Sequence, residues 1–123
     1  MQNAVATQTW KTRLSEFGRR NSLRPTRIEV LDPSAGLDSD FWIEDGMLLT
    51  GIDVEEVRNR GLSVDIMLQA TAEACRNHLT HRIAGVTRVT VKKAAEPNEV
   101  LEIEDAGGIV TIVRFESSPH SPN

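Results

Sequence analysis

Apolar side chains recur along this chain with two different periods, and the change of period divides it. From Thr9 the spacing is helical: Trp10, Leu14 and Phe17 fall at i, i+4 and i+7 and make one apolar stripe. Thr7 or Thr9 can cap its start, and Asn21, ahead of Arg24-Pro25, supplies a stop. So short a helix is marginal in isolation, so the stripe must dock onto the sheet that follows.

Beyond Pro25 the period becomes two. Thr26, Ile28 and Val30 alternate with Arg27 and Glu29, a first strand that Asp32-Pro33-Ser34-Ala35-Gly36 interrupts. Phe41 to Ile43 reads as a short strand, with Asp45-Gly46 as a hairpin turn and Met47 to Ile52 as its partner. After the turn Asn59-Arg60-Gly61, Leu62, Val64, Ile66 and Leu68 take one face and Ser63, Asp65, Met67 and Gln69 the other. Ala70 to Asn77 stays open between a helical turn and a wide loop. Leu79 to Ile83 and Arg88 to Lys93 are rich in β-branched residues and are parted by Ala84-Gly85. Glu96-Pro97-Asn98-Glu99 is a turn, and Val100 to Asp105 joins Ile109 to Phe115 through Ala106-Gly107-Gly108, a hairpin. The last strand is apolar on both faces, which predicts a central position.

These elements predict an α+β, mainly β fold, with the amphipathic helix packed on a curled antiparallel sheet or small barrel of about six to eight short strands. Parallel crossovers are disfavoured, because no second helix is long enough to make them. The expected organisation is a flexible segment 1–8, a single domain 9–116 and a disordered tail 117–123. A chain of 123 residues is the size of one such domain.

Charge changes the picture at the helix. Lys11, Arg13, Arg19, Arg20, Arg24 and Arg27 face only Glu16 in the first 27 residues, so the rest is more acidic than the net charge of −4 indicates. An Arg-rich amphipathic start is how an organelle transit peptide reads, but here it looks like an integral first element. A helix laid beside an acidic sheet of the same molecule explains the asymmetry in cis. No apolar run spans a bilayer, and the single cysteine, Cys75, allows no internal disulfide, so the expected compartment is the cytoplasm.

Candidate chemistry is sparse. Cys75, His78 and His81 have the spacing C-x-x-H-x-x-H and could supply three ligands to zinc. On an extended strand His78 and His81 point to opposite faces, so that reading requires a local helix. A thiol-dependent reading takes Cys75 beside His78, with Asp65 one strand away. Asp38, Asp40, Glu44 and Asp45 invite calcium without the EF-hand pattern. Asp53, Glu55 and Glu56 read as a solvated cluster, with Asp53 a cap for a short helical turn. A small barrel behind a helix is also the layout of RNA-binding Sm-like proteins, an analogy of fold alone. Single-strand platforms need stacked aromatics, and of Trp10, Phe17, Phe41, Trp42 and Phe115 most lie where a core wants them.

Several segments together resemble the bacterial domain-of-unknown-function family 5335. They are Trp10…Leu14…Phe17-Gly18-Arg19-Arg20, Ile28-Glu29-Val30-Leu31, Leu49-Thr50-Gly51-Ile52, His78-Leu79-Thr80-His81-Arg82-Ile83, Thr87-Arg88-Val89, Leu101-Glu102-Ile103-Glu104 and Val113-Arg114-Phe115. The resemblance runs over roughly residues 9–116 and rests on order and spacing. This chain departs from it at Ala70 to Asn77 and at Gly85-Val86. The resemblance implies a bacterial, intracellular, one-domain protein, and it supplies no catalytic residue and no cofactor.

The reading that results is a bacterial, cytoplasmic module of structure or protein interaction. It carries no cofactor and is more an interaction module than an enzyme. It is expected to meet a protein partner or itself through a sheet edge, with no membrane role. The alternatives are a metal- or thiol-dependent enzyme using Cys75, His78 and His81, and weak nucleic-acid binding through the basic helix.

Overall fold

The computed structural model describes residues 4–32, 41–58, 61–70, 78–93 and 99–115. Among them lie α1 (Ala4–Arg20), β1 (Pro25–Leu31), β2 (Phe41–Val57), β3 (Gly61–Gln69), β4 (His78–Lys93), β5 (Glu99–Asp105) and β6 (Val110–Phe115). The chain is thus α+β and mainly β, with one helix and six antiparallel strands among the described residues. Each strand pairs with the next, and β6 pairs back onto β1, so the ladder closes into a barrel. The expected breaks at 33–36 and 96–98, the open segment 71–77 and the tail 117–123 fall outside the described residues.

Two expected turns are bends within longer strands. Thr26 opposes Met47 while Arg27 opposes Asp45, so Gly46 is an extra residue in β2 and no hairpin forms there. Its φ of +111° explains why glycine stands at this bulge. In β4, Ile83 opposes Val64 and Val86 opposes Leu62, which leaves Ala84 and Gly85 across from Ser63 alone. Gly85 takes φ +65° and bends the strand instead of ending it. β4 therefore serves β3 with its first half and β5 with its second. β2 does the same for β1 and β3, with Thr50 as a further extra residue between Leu49 and Gly51. A turn and a bulge both ask for a glycine at positive φ, which is why the sequence alone read both as turns.

Period-two alternation fills the barrel. Ile28 on β1, Leu49 on β2, Val64, Ile66 and Leu68 on β3, and Leu101 and Ile103 on β5 are all wholly buried. β6 is central, between β5 and β1, with Val113 inside and Ile112 nearly buried on the outer face. The hairpin before it forms as expected: Asp105 Oδ1 accepts from the Gly107 and Ile109 amides at 2.8 and 3.1 Å.

α1 begins at Ala4, ahead of the expected Thr9, so residues 4–8 belong to the helix. Alanine is the strongest helix former, and Ala4 and Ala6 extend the helix N-terminally. Leu14 and Phe17 are wholly buried, and Trp10 packs beside them against the core. Burying each of the first two stabilises the fold by about 2 kcal/mol. The Phe17 and Phe115 rings lie 5.6 Å apart at an interplanar angle of 37°.

The helix ends on a polar knot. Buried Asn21 donates from Nδ2 to the Phe17 carbonyl at 3.0 Å and to Glu99 Oε2 at 3.3 Å. Arg20 grips the same Glu99 with Nε and Nη2 at 2.9 and 2.7 Å. Arg24 donates to Asn21 Oδ1 at 2.7 Å and stacks over Phe115, 4.8 Å from the ring centroid. Leu23, at φ +64°, reverses the chain so that its amide reaches the Leu49 carbonyl at 2.7 Å.

Candidate functional site

The residues expected to bind metal are not gathered. Cys75 lies outside the described residues. His78 and His81 sit on the regular first half of β4, where an odd separation sends them to opposite faces. His78 is exposed, whereas His81 lies half-buried on the face shared with Leu79 and Ile83. Burial pushes the His81 imidazole below its ordinary 6.5, because the charged form loses solvation there. Among the described residues no group of three His, Cys, Asp or Glu side chains is placed to hold a metal ion.

Asp65 is committed elsewhere. Its carboxylate accepts two hydrogen bonds from Arg82, at 2.8 and 3.0 Å, and Arg82 also reaches Glu55 at 3.4 Å. The Arg82 hydrogen bonds hold the Asp65 carboxyl below its ordinary 3.8. His78 opposes Gln69, so β4 does not align it with Asp65. Asp53 caps no helical turn either. It lies within β2, and its Oδ1 accepts the Val54 amide at 3.1 Å. Asp38 and Asp40 are outside the described residues, and Glu44 and Asp45 belong to β2.

The basic helix divides in two. Arg20 meets Glu99, the cis pairing expected of a helix beside an acidic sheet. That contact holds the Glu99 carboxyl below its ordinary 4.5, with help from Asn21. Lys11, Arg13 and Arg19 are exposed, and among the described residues none has an ion-pair partner. Of the five aromatics, Phe17 and Phe115 are in the core, in keeping with the expectation that most of them lie there.

What the structure brings together instead is a cleft of about 440 Å³ between α1 and β2. Ser15, Gly18 and Arg19 of α1, with Ser22 of the turn after it, form one wall, and Thr50, Gly51 and Ile52 form the strand wall. Ser15, Arg19 and Ser22 recur at helical spacing along one flank, which Lys11 continues. Gly18 lies against the strand wall, where a Cβ would make ordinary contact with the Ile52 nitrogen at 3.4 Å. The strand wall lies directly under the helix: the Ile52 nitrogen stands against Gly18, and Val54 donates its amide to its own Asp53 Oδ1 at 3.1 Å.

The cleft is rich in donors. Among the described residues the Arg19 guanidinium and the Ser15 and Ser22 hydroxyls have no partner, and no carboxylate lines the walls. The hollow between β4 and β5 is different: there Lys92 Nζ already meets Glu102 Oε2 at 3.1 Å. Of the helical flank, the sequence marked only Arg19, as one of the basic residues of the helix. The strand wall was not legible, because the Thr50 bulge that exposes it leaves no mark in periodicity.

No protein-family model and no curated protein matches the chain. Among solved structures it is similar to the Bacillus subtilis YojF protein in its crystal structure, at 13% identity and a TM-score of 0.51. The match covers 91% of this chain and 94% of that one, and it shows a shared fold. Among the described residues no helix is long and apolar enough to cross a membrane.

Proposed function

We propose that this chain is a bacterial, cytoplasmic, non-enzymatic module that works through contact with a protein partner or a second copy, of the kind its resemblance to family 5335 implies. The observation that carries this reading is the filled barrel. Side chains from all six strands and from α1 occupy the interior, with Phe17 and Leu14 closing one end. Binding is therefore a matter for the outer surface, which suits recognition of another protein.

Closure of β1 on β6 alters the expected route through a sheet edge. Among the described residues, strand backbone without a second strand neighbour lies where β2 and β4 pass from one neighbour to the next. At β2 the stretch around Ile52 is covered by α1. At β4 the stretch lies around Thr80 and Arg82, paired to β3.

Sedimentation of the purified full chain, combined with capture from bacterial lysate and remeasurement with each purified candidate, tests the reading. Self-association or saturable binding to one defined protein is the expected result. A chain that stays monomeric and retains no partner overturns it.

A further inference from the structure

We propose that the open edge of β4 at residues 79–83 is a self-pairing site, where the same stretch of a second copy adds as an antiparallel strand. This names the partner and the surface within the interaction reading above, and rests on it.

The direction of the backbone follows from the far side of the sheet. The Leu49 carbonyl accepts from the Leu23 amide and the Leu49 amide donates to the Arg24 carbonyl, so both point away from β3. Leu49 opposes Leu68, and the alternation of an antiparallel ladder therefore turns the polar groups of Leu68 toward β4. Leu79, His81 and Ile83 take the bonds from β3, and the amides and carbonyls of Thr80 and Arg82 face outward. Among the described residues β4 meets no second strand on that side before Val86.

Charge sets this edge apart. Charged side chains are an ordinary protection against a second copy, because like charges meet across the pair. The other open stretches carry them: Glu44 and Asp45, then Asp53, Glu55 and Glu56, on β2, and Arg88, Lys92 and Lys93 on β4. Along residues 79–83 the charge at neutral pH is Arg82, which Asp65 of the same molecule already answers with two hydrogen bonds.

The stretch is also self-complementary. A two-fold axis at His81 sets half-buried Leu79 against Ile83 of the second copy, and Thr80 against its Arg82. The two His81 side chains meet uncharged at neutral pH, since burial holds the imidazole below its ordinary 6.5. An axis at Thr80 would set Leu79 against His81 and His78 against Arg82, a poorer match.

Amide hydrogen exchange of the full chain, read beside sedimentation over a concentration series, tests this. The expected result is a dimer whose Thr80 and Arg82 amides are protected at high concentration and exchange freely on dilution. Thr80→Pro removes from each copy an outward amide that the fold does not use, and should weaken association by about tenfold or more. Thr80→Lys, set against Arg82 of the second copy, should also weaken it, and serves where proline disturbs the fold. Glu56→Lys, on the open stretch of β2, should leave association unchanged. The proposal is overturned if the chain stays monomeric, or if a dimer forms while Thr80 and Arg82 still exchange freely. It is equally overturned if both Thr80 variants associate like the parent, or if Glu56→Lys weakens association as much as they do. Association through another surface, or saturable binding of one defined protein to a monomeric chain, sinks this proposal and leaves the interaction reading standing.

Discussion

Two arginines of this barrel grip carboxylates with two hydrogen bonds each, and the two grips have little else in common. Arg20 reaches Glu99 at 2.9 and 2.7 Å, and Arg82 reaches Asp65 at 2.8 and 3.0 Å. The first joins the end of α1 to β5 and shares its carboxylate with buried Asn21. The second crosses between neighbouring strands on the exposed face, where Glu55 is a further solvated acid. Equal geometry is therefore unequal in consequence. The Glu99 knot fixes where the helix ends and seats Phe17 in the barrel, while the Asp65 pair decorates a register that packing already sets.

The largest effect should come from removing what the knot holds. Deleting residues 1–22 takes Leu14 and Phe17 out of the core and opens the barrel end, so the truncated chain should melt far below the intact one. Phe17→Ala isolates the principal term, a loss of about 3–5 kcal/mol in denaturant unfolding. A truncation that melts like the intact protein would show that the helix is an accessory.

Asn21→Ala comes next. It removes a buried donor from the Phe17 carbonyl and from Glu99 and one acceptor from Arg24, so about 1–3 kcal/mol should be lost. Asn21→Asp serves as the counterpart: it keeps the size and the acceptor for Arg24 but sets a second carboxylate beside Glu99. If chemical denaturation ranks Asn21→Ala below any change at Asp65, the knot is not what separates the two pairs.

Glu99→Gln should cost about 1 kcal/mol or less at neutral pH, since Arg20 is half exposed and solvent screens the pair. Its clearer signature is in pH. The folded Glu99 carboxyl lies below its ordinary 4.5, so its contribution is present above that value and is lost as pH falls through the folded one. Glu99→Gln should flatten this acid limb in a series of unfolding curves. His81 acts in a separate window. Its folded pKa is also depressed, so the unfolded chain takes up the proton first and stability falls as pH drops from 6.5 toward the folded value. His81→Gln should remove that slope and leave the Glu99 limb unchanged.

The contrast between the pairs also marks how far the sequence could be read. Trp10, Leu14 and Phe17 declared a docked helix, and Leu62, Val64, Ile66 and Leu68 declared β3 with its inward face, because periodicity reports burial directly. Gly46 and Gly85 were misread as turns, since positive φ is common to both structures and only cross-strand register tells them apart. Closure of β1 on β6 and the meeting of Arg20 with Glu99 depend on residues far apart in the chain, which local spacing does not encode. The cleft was not legible: Arg19 stood out only as one of the basic residues of the helix, and its facing wall at Ile52 depends on the bulge at Thr50.

The smallest effect is expected at Asp65. Arg82 holds its folded carboxyl below 3.8, so this pair too stabilises above that value and fades as pH falls through the folded one. Yet Arg82 extends into solvent, where ordering a long side chain offsets most of the attraction and salt screens the rest. Asp65→Asn should therefore shift the melting temperature less than Glu99→Gln at neutral pH and move the acid limb less. Raising the ionic strength provides the discriminating measurement. About 1 M salt shortens the screening length to about 3 Å, which should erase the difference between Asp65→Asn and the parent. The Glu99→Gln difference should survive in part, because Asn21 is buried and its hydrogen bond to that carboxylate is poorly screened. Were both differences to vanish together, Asn21 would lend Glu99 no protection, and the two grips would be energetically alike despite their different settings.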